Sequence, residues 1–242
     1  MKKYFITFGA GKNFISAGER LIKQVKLTNY FDELILYTDE DLKNDKKFWK
    51  KHSEFILNSK RGYGYWIWKS FIIRKTMKNM NNGDILMYLD SGCEIAEPKQ
   101  LLIPNFFEFV KEDKIIGSPA RIEKLWVKKD LITYLNVTDD EYLNTYQRQA
   151  GAVMYFICNE TRNLVNLWYR ICGNYHMIDD SKSIEPNFSY FKEHRHDQSI
   201  FSLLTKKYNI YSDKNIEDCV YYIRNRKGAS KVKNICNNAR SP

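Results

Sequence analysis

Apolar and polar positions change period along this chain, and those changes mark its elements. Lys3 to Phe8 and Glu33 to Thr38 are short apolar runs that predict strands. Between them Gly9-Ala10-Gly11 breaks the chain, and Leu21, Ile22 and Val25 recur at helical spacing, with Ser16 and Glu19 spaced as a capping box. Phe55 to Leu57 reads as a short third strand, and a basic, glycine-broken loop, Lys60 to Gly64, follows it. Tyr65 to Met80 is helical by pattern, with Trp66, Ile73, Met77 and Met80 on one face. Asn81-Asn82-Gly83 is a turn signal, and Ile85 to Leu89 then runs apolar without alternation. Such a strand is covered on both faces, so the reading organises the chain around a buried parallel strand flanked by helices.

Beyond it the pattern predicts two short helices in Lys99 to Asp113, broken at Pro104, and a strand over Lys114 to Gly117. A helix opened by Thr138 and Glu141 is expected to end before Gly151. Gly151 to Cys158 reads as a further buried strand and Thr161 to Cys172 as a helix closed by Gly173. Asp179 to Tyr190 is a polar loop, and an apolar helix covers Ile200 to Leu204. From Arg224 onward the chain is basic and poor in apolar residues. The expectation is one α/β domain over residues 1–223, with a mostly parallel, Rossmann-like central sheet, and a basic tail over 224–242.

Composition narrows the class. Of the 242 residues 43% are hydrophobic and 15% aromatic, enough for a core, while no apolar run is long enough to span a bilayer. The first residues carry no secretion signal, and five cysteines stand without a CxxC pair, so a cytoplasmic, reducing setting is expected. A formal charge of +10 implies anionic partners: nucleic acid, acidic membrane or phosphorylated small molecules.

Candidate chemistry gathers at the strand ends. Asp90 closes the Ile85 to Leu89 run and is followed by Ser91 and Gly92, whose missing side chain lets a metal-bound diphosphate approach the backbone; the alternative is a carboxylate that caps the next turn. Asp39 ends the second strand and either touches a base or ribose or caps the following helix. Lys60 and Arg61 are cations suited to phosphate oxygens. His194 and His196 flank Arg195 ahead of Asp197, a set expected not to hold zinc because the arginine charge stands between them.

Taken together, the GYGYWIWKSFIIRK helix, the GDILMYLDSG strand, the GAVMYFICN strand and the RHDQSIF helix start resemble the GT-A type nucleotide-sugar glycosyltransferases. The nearest likeness is to the small bacterial and viral transferases of polysaccharide synthesis. The resemblance implies a donor that is a nucleotide sugar, a UDP-sugar by expectation, and a glycan or other hydroxyl acceptor. It implies Mg²⁺ or Mn²⁺ at the strand end, on Asp90 with Glu94 as the nearest second acid, because Gly92 stands where the family's second aspartate would be. Phe8, Gly9, Asp39 and Arg61 are expected around the donor, together with Lys69, Asp90, Ser91 and Gly92. Asp197 and Gln198 match the family's element near the reacting sugar, Asp197 as a general base or an electrostatic stabiliser. Two other readings stand beside it: a nucleic-acid binder, which uses the charge but neither the buried sheet nor Asp90, and a sugar-phosphate nucleotidyltransferase.

Overall fold

The computed structural model describes residues 1–212 and 214–232. A five-stranded sheet lies at its centre, formed by β1 (Lys3–Gly9), β2 (Glu33–Thr38), β3 (Ile85–Leu89), β4 (Ile115–Ile116) and β7 (Ala152–Phe156). The order is β2-β1-β3-β7-β4. β1 runs parallel to β2 and β3, while β7 is antiparallel to both β3 and β4. Four of the five strands therefore point one way and β7 alone is reversed, which fits the mostly parallel sheet expected.

All five residues of β3 are buried. Leu86 and Tyr88 pack into one cluster and Ile85, Met87 and Leu89 into another, so successive side chains feed opposite faces of the sheet. On the first face lie α3 (Ile67–Met77), α5 (Asn159–Cys172) and α6 (His196–Lys207), contributing Phe71, Ile72, Trp168 and Phe201. On the second lie α1 (Gly11–Thr28) and α4 (Ile103–Asp113), contributing Leu21, Val25, Phe106 and Val110. A two-stranded ribbon of β5 (Pro119–Ile122) and β6 (Tyr146–Arg148) stands apart from the sheet.

Three sequence expectations are corrected. Phe55 to Leu57 is the end of a helix, α2 (Lys46–Asn58), not a strand. Its buried residues Phe48, His52 and Ile56 recur every four positions, and the Asp45 side chain caps it through Phe48 N–H. α1 opens at Gly11 with no side-chain cap, so Ser16 and Glu19 lie within the helix. After Thr138 only a single turn, Asp140–Leu143, is helical before β6 begins.

The predicted Tyr65 helix starts later, and what precedes it is unusual. Gly62, Tyr63, Gly64, Tyr65 and Trp66 all have φ between 50° and 89°. The chain makes one left-handed turn, closed by Tyr65 N–H to Arg61 O and Trp66 N–H to Gly62 O, both 3.1 Å. Left-handed backbone costs roughly 1–2 kcal/mol for each non-glycine residue. Packing offsets it: Tyr65 and Trp68 are buried, and Trp68 stacks on Phe8 with ring centroids 3.8 Å apart.

Candidate functional site

β1, β2 and β3 end on one edge of the sheet, because Gly9 is in register with Thr38 and β3 runs parallel beside β1. Asp90 extends β3 at that edge. Its Oδ1 accepts from the Tyr88 hydroxyl at 2.5 Å and lies 3.2 Å from Lys69 Nζ, while Oδ2 faces the Tyr222 hydroxyl at 3.4 Å. Gly151 backs the carboxylate: a Cβ there would lie 2.6 Å from Asp90 Oδ2 and 2.4 Å from the Tyr222 hydroxyl, so any side chain would push both from their places.

Lys69 is the third residue of α3, placed there by the left-handed turn whose Trp66 carbonyl accepts its N–H at 2.9 Å. The Lys69 ammonium bridges two carboxylates, Asp90 and Asp197, the second at 3.4 Å. Asp197 sits in the first turn of α6, its carbonyl accepting from Trp168 Nε1 at 3.0 Å. Side-chain exposure separates the three roles: 32% for Asp90, but 4% for Lys69 and 5% for Asp197. Asp90 is thus the member that reaches solvent, and the other two hold it from behind. Burial opposes the Lys69 charge, yet Asp197 and Asp90 outweigh it and raise the ammonium above its ordinary range. Burial pushes Asp197 up to about 6; Lys69 opposes that shift and the Asp90 charge adds to it.

The remaining expected residues divide. The Phe8 ring is spent on Trp68, and Gly9 lies so close to α1 that a Cβ would meet the Phe14 carbonyl oxygen at 2.5 Å. Asp39 opens a helical turn beside Gly9 and pairs with Lys43 at 2.8 Å, while Thr38 caps the turn. Arg61 pairs with Asp180 at 2.8 Å and Glu193 at 2.7 Å, fastening the 179–195 loop rather than lying free for phosphate. Ser91 is buried, and its carbonyl accepts from Arg20 Nη2 at 2.7 Å. Gln198 donates to Gln147 Oε1 at 2.7 Å beside Asp197. His194 and His196 are hydrogen-bonded to the carbonyls of Met177 and Ile178.

Glu94 is a correction. Its carboxylate is fully buried and accepts from the side chains of Arg20, Gln24, Asn225 and Ser230 and from the N–H groups of Lys231 and Val232. Six donors leave no lone pair for a metal. The same contacts fold Arg224 to Val232, the first part of the expected basic tail, against the β3 turn, with Asn225 N–H on Gly92 O at 2.8 Å and Val232 buried. Lys233 and Arg240 lie outside the described residues.

The residues around Asp90 do not fit the Mg²⁺ or Mn²⁺ expected from the sequence. Gly92 supplies no carboxylate, Glu94 is saturated, Asp197 is screened by Lys69, and the buried ammonium 3.2 Å from Asp90 would repel a divalent cation. Among the described residues no three His, Cys, Asp or Glu side chains converge on a metal position.

No family model matches the sequence, and no curated protein does. Among solved structures, mouse xyloside xylosyltransferase 1 in its apo form is similar over 87% of this chain and 84% of its own, at 10% identity and a TM-score of 0.47. The galactosyltransferase LgtC, in complex with donor and acceptor sugar analogues, matches over 83% and 70%, at 12% identity and 0.47. The bifunctional glycosyltransferase WbbM matches over 89% of this chain and 39% of its own, at 12% identity and 0.46. All three are glycosyltransferases. At these values the likenesses assign neither residues nor activity to this chain.

Sequence reasoning missed Tyr222, which is distant from β3 in the chain and belongs to no periodic segment. It also missed Trp126, whose ring lies 4.5 Å from the Arg121 guanidinium and 4.7 Å from that of Arg195. Neither carries a motif.

Proposed function

We propose that this protein transfers a sugar from a nucleoside diphosphate donor, with UDP-sugars the first to test, to a hydroxyl acceptor at the cleft over Asp90. The observation that carries the reading is Asp90 itself: a carboxylate held from behind by Lys69 and Tyr88, partly open to solvent, at the edge where three parallel strands end. Ligands of open α/β sheets bind beyond that edge. The nucleoside lies over the ends of β1 and β2, near Gly9 and Asp39, and the sugar lies over Asp90, which accepts from its hydroxyls.

In the transfer, the bond between the anomeric carbon and the diphosphate oxygen breaks, and its electron pair leaves with the diphosphate. The acceptor oxygen forms the new bond to the anomeric carbon and gives its proton to solvent. Asp90 orients the donor; Asp197, set behind Lys69, acts by fixing the Lys69 and Asp90 positions and by balancing charge.

Incubation with a panel of nucleotide sugars tests this. The expected result is slow release of nucleoside diphosphate by the wild type, reduced at least about 100-fold in Asp90→Asn at a temperature where circular dichroism shows that variant folded. Formation of nucleoside triphosphate and sugar 1-phosphate when pyrophosphate is added would instead indicate nucleotidyl transfer, and no release with any donor would remove the transferase reading.

A further inference from the structure

Four guanidiniums lie close enough to act on one another, and two of them are carried by segments that border Asp197 and Gly92. Arg195 stands two residues before Asp197, and Arg121 lies in β5; both lie within 5 Å of the Trp126 ring. Arg224 packs its backbone on Gly92, its Cα 3.1 Å from where a Cβ on Gly92 would be. It holds a left-handed φ of 52°, an uncommon conformation for a residue with a side chain, beside the Asn225 bonds to Gly92 and Glu94. Arg61 is the fourth. Burial lowers the pKa of Arg195; Glu193 opposes this, while Arg121, Arg224 and Arg61 lower it further, so these like charges feel one another.

Carboxylates answer only part of that charge. Arg61 is bound to Asp180 and Glu193, and Arg195 reaches Glu193 at 3.4 Å. Arg121 and Arg224 are exposed and have no carboxylate partner among the described residues. Guanidiniums placed on an indole are oriented in advance, which lowers the cost of ordering their planar forks around an oxyanion. Such a cluster is relieved when an anion enters it.

We propose that Arg121, Arg195 and Arg224 bind the diphosphate of the donor and neutralise it without a divalent cation. The inference rests on the sugar-transfer reading. Asp90 cannot share a metal with a second carboxylate, because Gly92 offers none and Lys69 already holds the cationic position behind it. Negative charge that develops on the diphosphate oxygen as the sugar bond breaks is instead met by guanidinium N–H donors, and no proton transfer to the leaving group is needed.

Calorimetric titration of UDP and of inorganic pyrophosphate into the full chain, each with chelator and with Mn²⁺, is the test. Both probes should bind equally in the two conditions. Arg121→Ala and Arg224→Gly, the latter a residue at ease with positive φ, should each weaken binding by about tenfold or more, the loss expected for one charged hydrogen bond. Arg224→Lys should recover part of that loss. Binding that requires Mn²⁺, or that ignores both arginine variants, overturns the proposal while leaving sugar transfer intact; failure of both probes to bind also overturns it. Pyrophosphate binding through the arginines, with no nucleoside diphosphate binding better than pyrophosphate, upholds the anion site and counts against the nucleotide donor.

Discussion

Lys69 is an ammonium with only 3% of its surface exposed, so its charge is tolerable only between carboxylates. Removing one partner of a buried ion pair typically costs about 3–5 kcal/mol, mostly by stranding the charge left behind. Lys69→Met should therefore destabilise the protein strongly near pH 8, and Lys69→Met with Asp197→Asn should be more stable than Lys69→Met alone. Urea midpoints of the two variants decide it; no recovery in the double variant would show that the pair is not coupled. Asp90 was legible in the sequence because an unbroken apolar run fixes a strand and its last residue. The partnership of Lys69 with Asp197 was not, since it joins residues 128 positions apart through packing that no local pattern encodes. Glu94 misled for a related reason: closeness to Asp90 in sequence says nothing about donors arriving from residues 20 and 225–232.

The left-handed turn of Gly62–Trp66 sets where α3 begins and hence where Lys69 points, and it brings Tyr65 and Trp66 against the His196 ring at 5.1 and 5.4 Å. Gly64 has φ of 89°, and a Cβ there would lie 2.7 Å from Ile56 Cγ1 in α2. Gly11 shares the positive φ but faces open space. Gly64→Ala should thus lose more stability than Gly11→Ala, whose cost is backbone strain alone, roughly 1–2 kcal/mol; chemical denaturation of both variants measures the difference. The glycines announced a break in the chain, yet the handedness of the turn was beyond the sequence, because Tyr63, Tyr65 and Trp66 disfavour it. Short runs failed in the same way. Phe55 to Leu57 suits strand or helix equally, and only the Asp45 cap and the spacing back to Phe48 favour the helix.

Across the molecule, burial governs the response to acid. It pushes His52 down to about 4 and His194 to about 3, so both fold as neutral rings. Their folded pKa values lie below the ordinary 6.5, so the stability they contribute is full above about pH 6.5 and drains as pH falls toward 4 and 3. Asp197, raised to about 6, works oppositely and gains as pH falls from about 6 to 4, but two histidines outweigh one carboxylate. Thermal melts from pH 7.5 to 4.5 should show falling stability, with a shallower slope in His52→Gln, which cannot charge. The saturated Glu94 also has a bearing on how the chain is made. Asn225, one of its donors, is 131 residues further along. At about 5–20 residues per second, synthesis delivers that donor roughly 7–26 s after Glu94 itself. Until then the turn that carries Asp90 lacks its brace, so a nascent chain holding the whole parallel half of the sheet is still without a finished site, and ligand binding should mature only once the segment around Asn225 has emerged.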